Sequence, residues 1–196
     1  MVESYFPEEA WVEFLKKDDP YSPTGDAAGS NINITTDIDN FEESGFERET
    51  EYRPFFQNAK VTILKPQSPG ELKVNAKITR ALWDQMLWGG IGSDFTSGGD
   101  QEFYRITFLV TKDPNVTMAS QELSSGYEHY RKVYANCTLT SFNPKLEVEG
   151  MLEGEATFKV PPTDENGNGN IRIQISENGT ESFTALGSYT SSQKWD

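Results

Sequence analysis

The chain has 196 residues, of which 35% are hydrophobic and 12% aromatic, enough for one core of ordinary size and too much for a disordered polymer. Its 31 acidic against 17 basic residues leave a formal net charge of -14, which excludes a tight grip on phosphate by the surface as a whole. The lone cysteine, Cys137, excludes an intramolecular disulfide, and no run approaches the roughly 18 apolar residues of a membrane-spanning helix, so no membrane partner is expected.

The chain starts without a basic or apolar run, so no export signal or lipid anchor is expected. Pro7, Glu8 and Glu9 at one end and Lys16 and Lys17 at the other match the charge preferences of a helix dipole, with Ala10, Trp11, Phe14 and Leu15 as its apolar face. Pro20, Pro23, Gly25 and Gly29 follow, so residues 1–30 read as an N-terminal arm carrying that helix. From residue 31, Ile32, Ile34, Thr36 and Ile38 alternate with Asn33, Thr35, Asp37 and Asp39, the pattern of a half-buried strand. Residues 40–58 (NFEESGFERETEYRPFFQN) mix charges and aromatics without a period, which predicts a long loop that docks on a neighbour.

Strands are expected at 59–64 and 71–80, with Leu72, Val74, Ala76 and Ile78 on the buried face and 65–70 (KPQSPG) as a hairpin turn between them. Residues 79–88 read as a short helix with Leu82, Met86 and Trp83 on its apolar side, stopped by Gly89 and Gly90. After a glycine-rich loop, further strands are expected at 102–111, 127–142, 147–160 and 171–176, and 177–196 reads as a C-terminal arm. The expected fold is mainly β: two packed antiparallel sheets forming a sandwich or barrel, one flanking helix, and long arms and loops, in a single domain over 1–196.

Catalytic patterns find little support. His129 and Cys137 lie eight residues apart on one predicted strand, hence on one face but about 26 Å apart, too far for a nucleophile–base dyad. The expectation is a small buried Cys137 and a surface or interface His129. No Gly-X-Ser-X-Gly elbow occurs, thiolate and imidazole zinc sites fail on ligand number, and the loop at 88–100 (WGGIGSDFTSGGD) lacks the Lys-Ser/Thr ending of a phosphate loop. Paired carboxylates abound without a spacing that marks a glycosidase. Residues 164–170 (DENGNGN) fit the first half of a calcium loop, but Ile175 stands where its last carboxylate belongs, so a tight turn is expected. Neither an enzyme nor a cofactor is expected.

The strand at 147–160 is the most informative. Its odd positions hold Glu147, Glu149, Met151, Glu153, Glu155, Thr157 and Lys159; its even positions hold Val148, Gly150, Leu152, Gly154, Ala156, Phe158 and Val160. Four carboxylates two residues apart repel unless they face water or cations, so this is either an ordinary solvated face or the wall of a water-filled channel.

Residues 134–144 (YANCTLTSFNP) followed by 148–162 (VEGMLEGEATFKVPP) resemble the C-terminal core of the major tail tube proteins of long-tailed bacteriophages. Residues 70–82 (GELKVNAKITRAL) are similar to that family's strand-to-helix segment in order and character. The resemblance implies a virion structural protein of a long-tailed phage, assembled in the host cytoplasm, with a flexible, non-contractile, siphophage-like tail favoured over a contractile one. Hexameric rings would stack into a hollow tube, inner strands joining in a ring β-barrel that conducts phage DNA to the host without specific binding. Its partners would be further copies of itself and tape measure, tail terminator and tail tip proteins. Glu147, Glu149, Glu153 and Glu155 would line the lumen and keep DNA from sticking. Residues 40–58 and both termini would bridge successive rings. Lys73 and Lys77 depart from this picture, since they could pair with the glutamates across strands. A reading of another class is a carbohydrate-binding or adhesin-like β-sandwich presenting Tyr127, Tyr130 and Tyr134.

Overall fold

A computed structural model describes residues 10–16, 32–33, 38–55, 59–78, 83, 103–146, 152–187, 189 and 194–195. Its strands are β1 (Ala10–Lys16), β2 (Ile32–Asn33), β3 (Ile38–Gly45), β4 (Thr50–Phe55), β5 (Ala59–Leu64), β6 (Gly70–Lys77), β7 (Tyr104–Thr111), β8 (His129–Leu146), β9 (Leu152–Val160) and β10 (Ile171–Ser176). All described pairings are antiparallel, in the order β2-β1-β7-β8-β9-β6-β3, with β10 also on β8.

Strand β8 joins the two halves. Its first part lies between β7 and β10, and its second part pairs with β9. Asn136, at φ 56, and a register shift between Leu139 and Ser141 interrupt the alternation where one half gives way to the other. The result is one curled, half-barrel sheet rather than the two separate packed sheets expected. The curl has the same cause as a sandwich: apolar strand faces need cover, and here the sheet supplies it by folding over itself. Phe14 of β1 meets Phe158 of β9 at 5.4 Å between ring centroids, and Phe41 of β3 stacks on Phe108 of β7 at 5.4 Å. Leu72, Val74 and Ala76 of β6 and Ala156, Phe158 and Val160 of β9 complete the core.

The helix expected around 7–17 is strand β1 where it is described. Val12 and Phe14 enter the main core, whereas Leu15 packs on the opposite side with Ala135 and Tyr189, and Trp11 joins a third cluster with Leu109 and Leu123. Burial on both faces erases the polar side that distinguishes a strand's period from a helix's. Of the helix expected at 79–88, only Trp83 is described; it is helical, buried, and stacked on Phe142 at 5.8 Å.

Residues 40–58 are not one loop. They contain most of β3 and all of β4, and β4 pairs with β5 as a two-stranded ribbon. The ribbon continues the β3–β6 pair: Lys65 N–H donates to the Glu49 carbonyl (3.0 Å) and Ser68 N–H to the Glu47 carbonyl (2.9 Å). The expected hairpin turn at 65–70 is therefore the irregular middle of one side of this ribbon. Pro66 and Pro69 lack the N–H groups a regular ladder needs, and Gly45 and Phe46 opposite them adopt φ 80 and 58. The Phe46 ring lies over Gly70, where a Cβ would fall 2.0 Å from it.

The C-terminal residues, expected as an arm, include a strap packed on the chain's own sheet. Phe183 and Leu123 exchange backbone hydrogen bonds of 2.8 Å, and Leu186 N–H donates to the Ser120 carbonyl (2.7 Å).

Candidate functional site

From Gly154 to Val160, strand β9 has the two faces expected of it, whereas Leu152, expected on the buried face, is exposed. Gly154, Ala156, Phe158 and Val160 are buried, and Glu153, Glu155, Thr157 and Lys159 occupy the alternate positions facing outward. Glu147 and Glu149 lie outside the described residues, as does the glycine-rich segment 88–100. Gly154 permits close packing: a Cβ there would fall 2.5 Å from the Phe142 ring.

The registers turn this face into rows running across β8, β9, β6 and β3. Glu153 lies between Lys145 and Lys77, and Lys77 also pairs with Asp39 at 3.2 Å. Glu155 lies between Asn143 and Asn75, with Asn40 beyond. Thr157 lies between Ser141 and Lys73, with Glu42 beyond. Lys159 lies between Thr138 and Glu71, with Ser44 beyond. Among the described residues, four lysines are thus interleaved with five carboxylates on one face. A shallow depression of ≈ 380 Å³ opens over the first two rows, lined by Asp39, Asn75, Asn143, Lys145, Glu153 and Glu155. Lys73 and Lys77 were legible as complications in the sequence; Lys145, Asp39, Glu42 and Glu71 were not connected to the site. Their alternation was present, but the register that makes them neighbours was not.

The outer face of β1, β7, β8 and β10 is polar too, but buried. Arg131 donates from Nε to Gln174 Oε1 (2.6 Å), from Nη1 to the Gln121 carbonyl (2.7 Å) and from Nη2 to the Thr184 carbonyl (2.8 Å). Arg105 donates from Nη2 to the Gly187 carbonyl (2.6 Å). Glu13 accepts the Ser120 N–H at 2.8 Å. Burial lowers the pKa of both arginines to about 10 and raises that of Glu13, with the Ser120 hydrogen bonds opposing the latter. These groups fasten the strap and the 112–128 connection to the sheet.

Here also lies His129, buried against expectation. Its Nδ1 is 2.8 Å from Thr111 Oγ1 and its Nε2 is 2.9 Å from the Ser124 carbonyl. Cys137 is buried as expected, but with the main core and not on the His129 side, because Asn136 reverses the alternation between them. Burial pushes the Cys137 thiol pKa up, so its thiolate is disfavoured.

The calcium-like segment is a turn. One Asp164 oxygen accepts the N–H groups of Asn166 (2.9 Å) and Asn168 (2.7 Å), and the other meets the Lys194 ammonium at 2.8 Å. These interactions hold the Asp164 carboxyl far below its ordinary pKa, Lys194 contributing most. The tyrosine row expected for a glycan surface is not a row: Tyr127 is 37% exposed, Tyr130 half-buried and Tyr134 1% exposed. The Tyr134 hydroxyl donates to Glu43 Oε2 (2.7 Å), which Lys132 also meets.

No protein-family model matches the chain, and no curated protein matches its sequence. Solved structures share its fold. A chain of the cryo-EM structure of the anti-feeding prophage baseplate, six-fold symmetrised, is similar over 89% of this chain and 97% of that one, at TM-score 0.52 and 9% identity. A chain of the PVC sheath–tube complex, an extracellular contractile injection system in its extended state, is similar over 89% and 95%, at TM-score 0.50 and 13% identity. The fold is therefore one found in phage-like injection assemblies. The second of these is contractile, so the fold carries no restriction to non-contractile tails.

Proposed function

We propose that this chain is a structural subunit of a phage-like tail tube in a virion or related particle. Copies join in rings of six, the rings stack, and the polar face of β8, β9, β6 and β3 lines a channel for DNA. The likeness in fold, over 89% of this chain at TM-score 0.52, to a chain of a six-fold-symmetrised baseplate carries the reading. The sheet supplies a physical means: among the described residues, β3 and residues 138–146 of β8 are each paired on one side only, at opposite ends of the polar-faced half. Unpaired edges are liabilities unless they meet partners, and two different edges meeting head to tail close a ring. The β4–β5 ribbon pairs with no other described strand, and two-stranded ribbons need packing to be stable, which suits a contact between rings.

Terminator or cap proteins would end such a tube, and a tape measure and tip proteins would set its length and foot. Glu153 and Glu155, with Glu147 and Glu149, would face the lumen. Electron microscopy of the purified protein tests the reading: six-fold rings or hollow tubes are expected, and a monomer at every concentration overturns it. In assembled particles, replacing the four glutamates by lysine should leave tubes intact and impede DNA release.

A further inference from the structure

The polar face is interleaved in sign, not uniformly acidic. Lys73, Lys77, Lys145 and Lys159 each have a carboxylate or polar amide as a cross-strand or row neighbour, and Asp39, Glu42, Glu71, Glu153 and Glu155 fill the places between them. Such solvent-facing pairs contribute at most about 1 kcal/mol each to folding, so stability does not account for them. Their effect on the local field is larger. Directly opposed residues have Cβ atoms about 5 Å apart, within the Debye length of about 10 Å at 0.1 M salt, so a phosphate near this face meets each lysine together with its carboxylates. The same screening removes most of the influence of charges elsewhere on the chain.

We propose that the five carboxylates are specificity-determining residues that hold a latent phosphate-binding lysine surface just below neutrality, so that a nucleic-acid backbone touches the face without being retained. This rests on the channel reading above, but differs from simple repulsion. Repulsion alone requires a strongly negative face, whereas here the excess is a single carboxylate, the lysines are the contact points and the carboxylates offset them. Four unmasked lysines would release counterions from up to four phosphates, and the log of affinity would then fall with log salt at a slope of up to about -3.6.

The test uses the full chain and a short random-sequence DNA duplex. The variant Asp39→Asn, Glu42→Gln, Glu71→Gln, Glu153→Gln, Glu155→Gln preserves side-chain shape and removes the charges. Binding is expected to appear at about 50 mM salt and weaken roughly a hundred-fold by about 200 mM. Adding Lys73→Gln, Lys77→Gln, Lys145→Gln and Lys159→Gln should abolish it, and melting temperatures should change little throughout. If the first variant binds no more DNA than the parent, or if it unfolds, the inference is overturned. So it is if binding survives loss of the lysines. Particle assembly is imaged separately, so tubes without switched binding overturn only this inference, and switched binding without tubes overturns only the tube reading.

Discussion

The two parts of β8 show how one strand can serve opposite environments. Before Asn136, its outward residues His129, Arg131, Val133 and Ala135 are buried beneath the strap and the 112–128 connection. After it, the face opposite the core carries Ser141, Asn143 and Lys145 into solvent beside β9. Both outer faces carry polar residues, yet only those of the first must find their hydrogen bonds within the protein. A buried polar group without a partner costs about 1–3 kcal/mol, whereas water satisfies the exposed ones at no such cost. Polar side chains thus hold the fold together in one half and remain available for function in the other.

The contrast can be broken most severely at Arg131. Arg131→Ala removes donors from Gln174 and two carbonyls beneath the strap, and should cost about 2–4 kcal/mol in denaturant unfolding. Arg131→Lys should not restore it, because one ammonium cannot reproduce the planar fork. A smaller loss, about 1–3 kcal/mol, is expected from Gly154→Val, which forces the Phe142 ring off its stack with Trp83; a change below 0.5 kcal/mol would show that this side of the core yields.

Tyr134→Phe should cost about 1 kcal/mol by thermal melting, since it removes the hydroxyl that ties Glu43 of β3 to β8 but leaves the Lys132 contact. Lys194→Met sharpens the comparison through pH. The Asp164 carboxyl has its folded pKa depressed below the ordinary 3.8, so its stabilisation is complete above about pH 4 and lost as pH falls through the folded value. Without Lys194, that acid-sensitive contribution should shrink, and the gap between parent and variant in unfolding free energy should narrow below pH 4. The least effect is expected on the solvent face: Glu153→Gln should stay within about 0.5 kcal/mol of the parent, and a larger loss would mean that this row is structural.

Several strands could be read directly. Residues 59–64 and 171–176 match β5 and β10, and the Leu72, Val74 and Ala76 alternation marks β6. Reading failed where both faces are covered, as in β1, whose apolar residues satisfy a helical period as readily as a strand's. It failed again in the ribbon, where charged and aromatic residues obscure the alternation and prolines resemble a turn. The first failure concerns burial by distant segments and the second concerns pairing between segments, neither of which a local period records.

By itself, the sequence determined the mainly β character and the buried small-residue face of β9. Only the tertiary structure decided which charges share a face. Strand register places Lys77 and Lys145 beside Glu153, and a single left-handed residue at Asn136 separates the surroundings of His129 from those of Cys137. The physical reason is that alternation is a property of one strand, whereas electrostatic neighbours and burial are set by strands far apart in the chain.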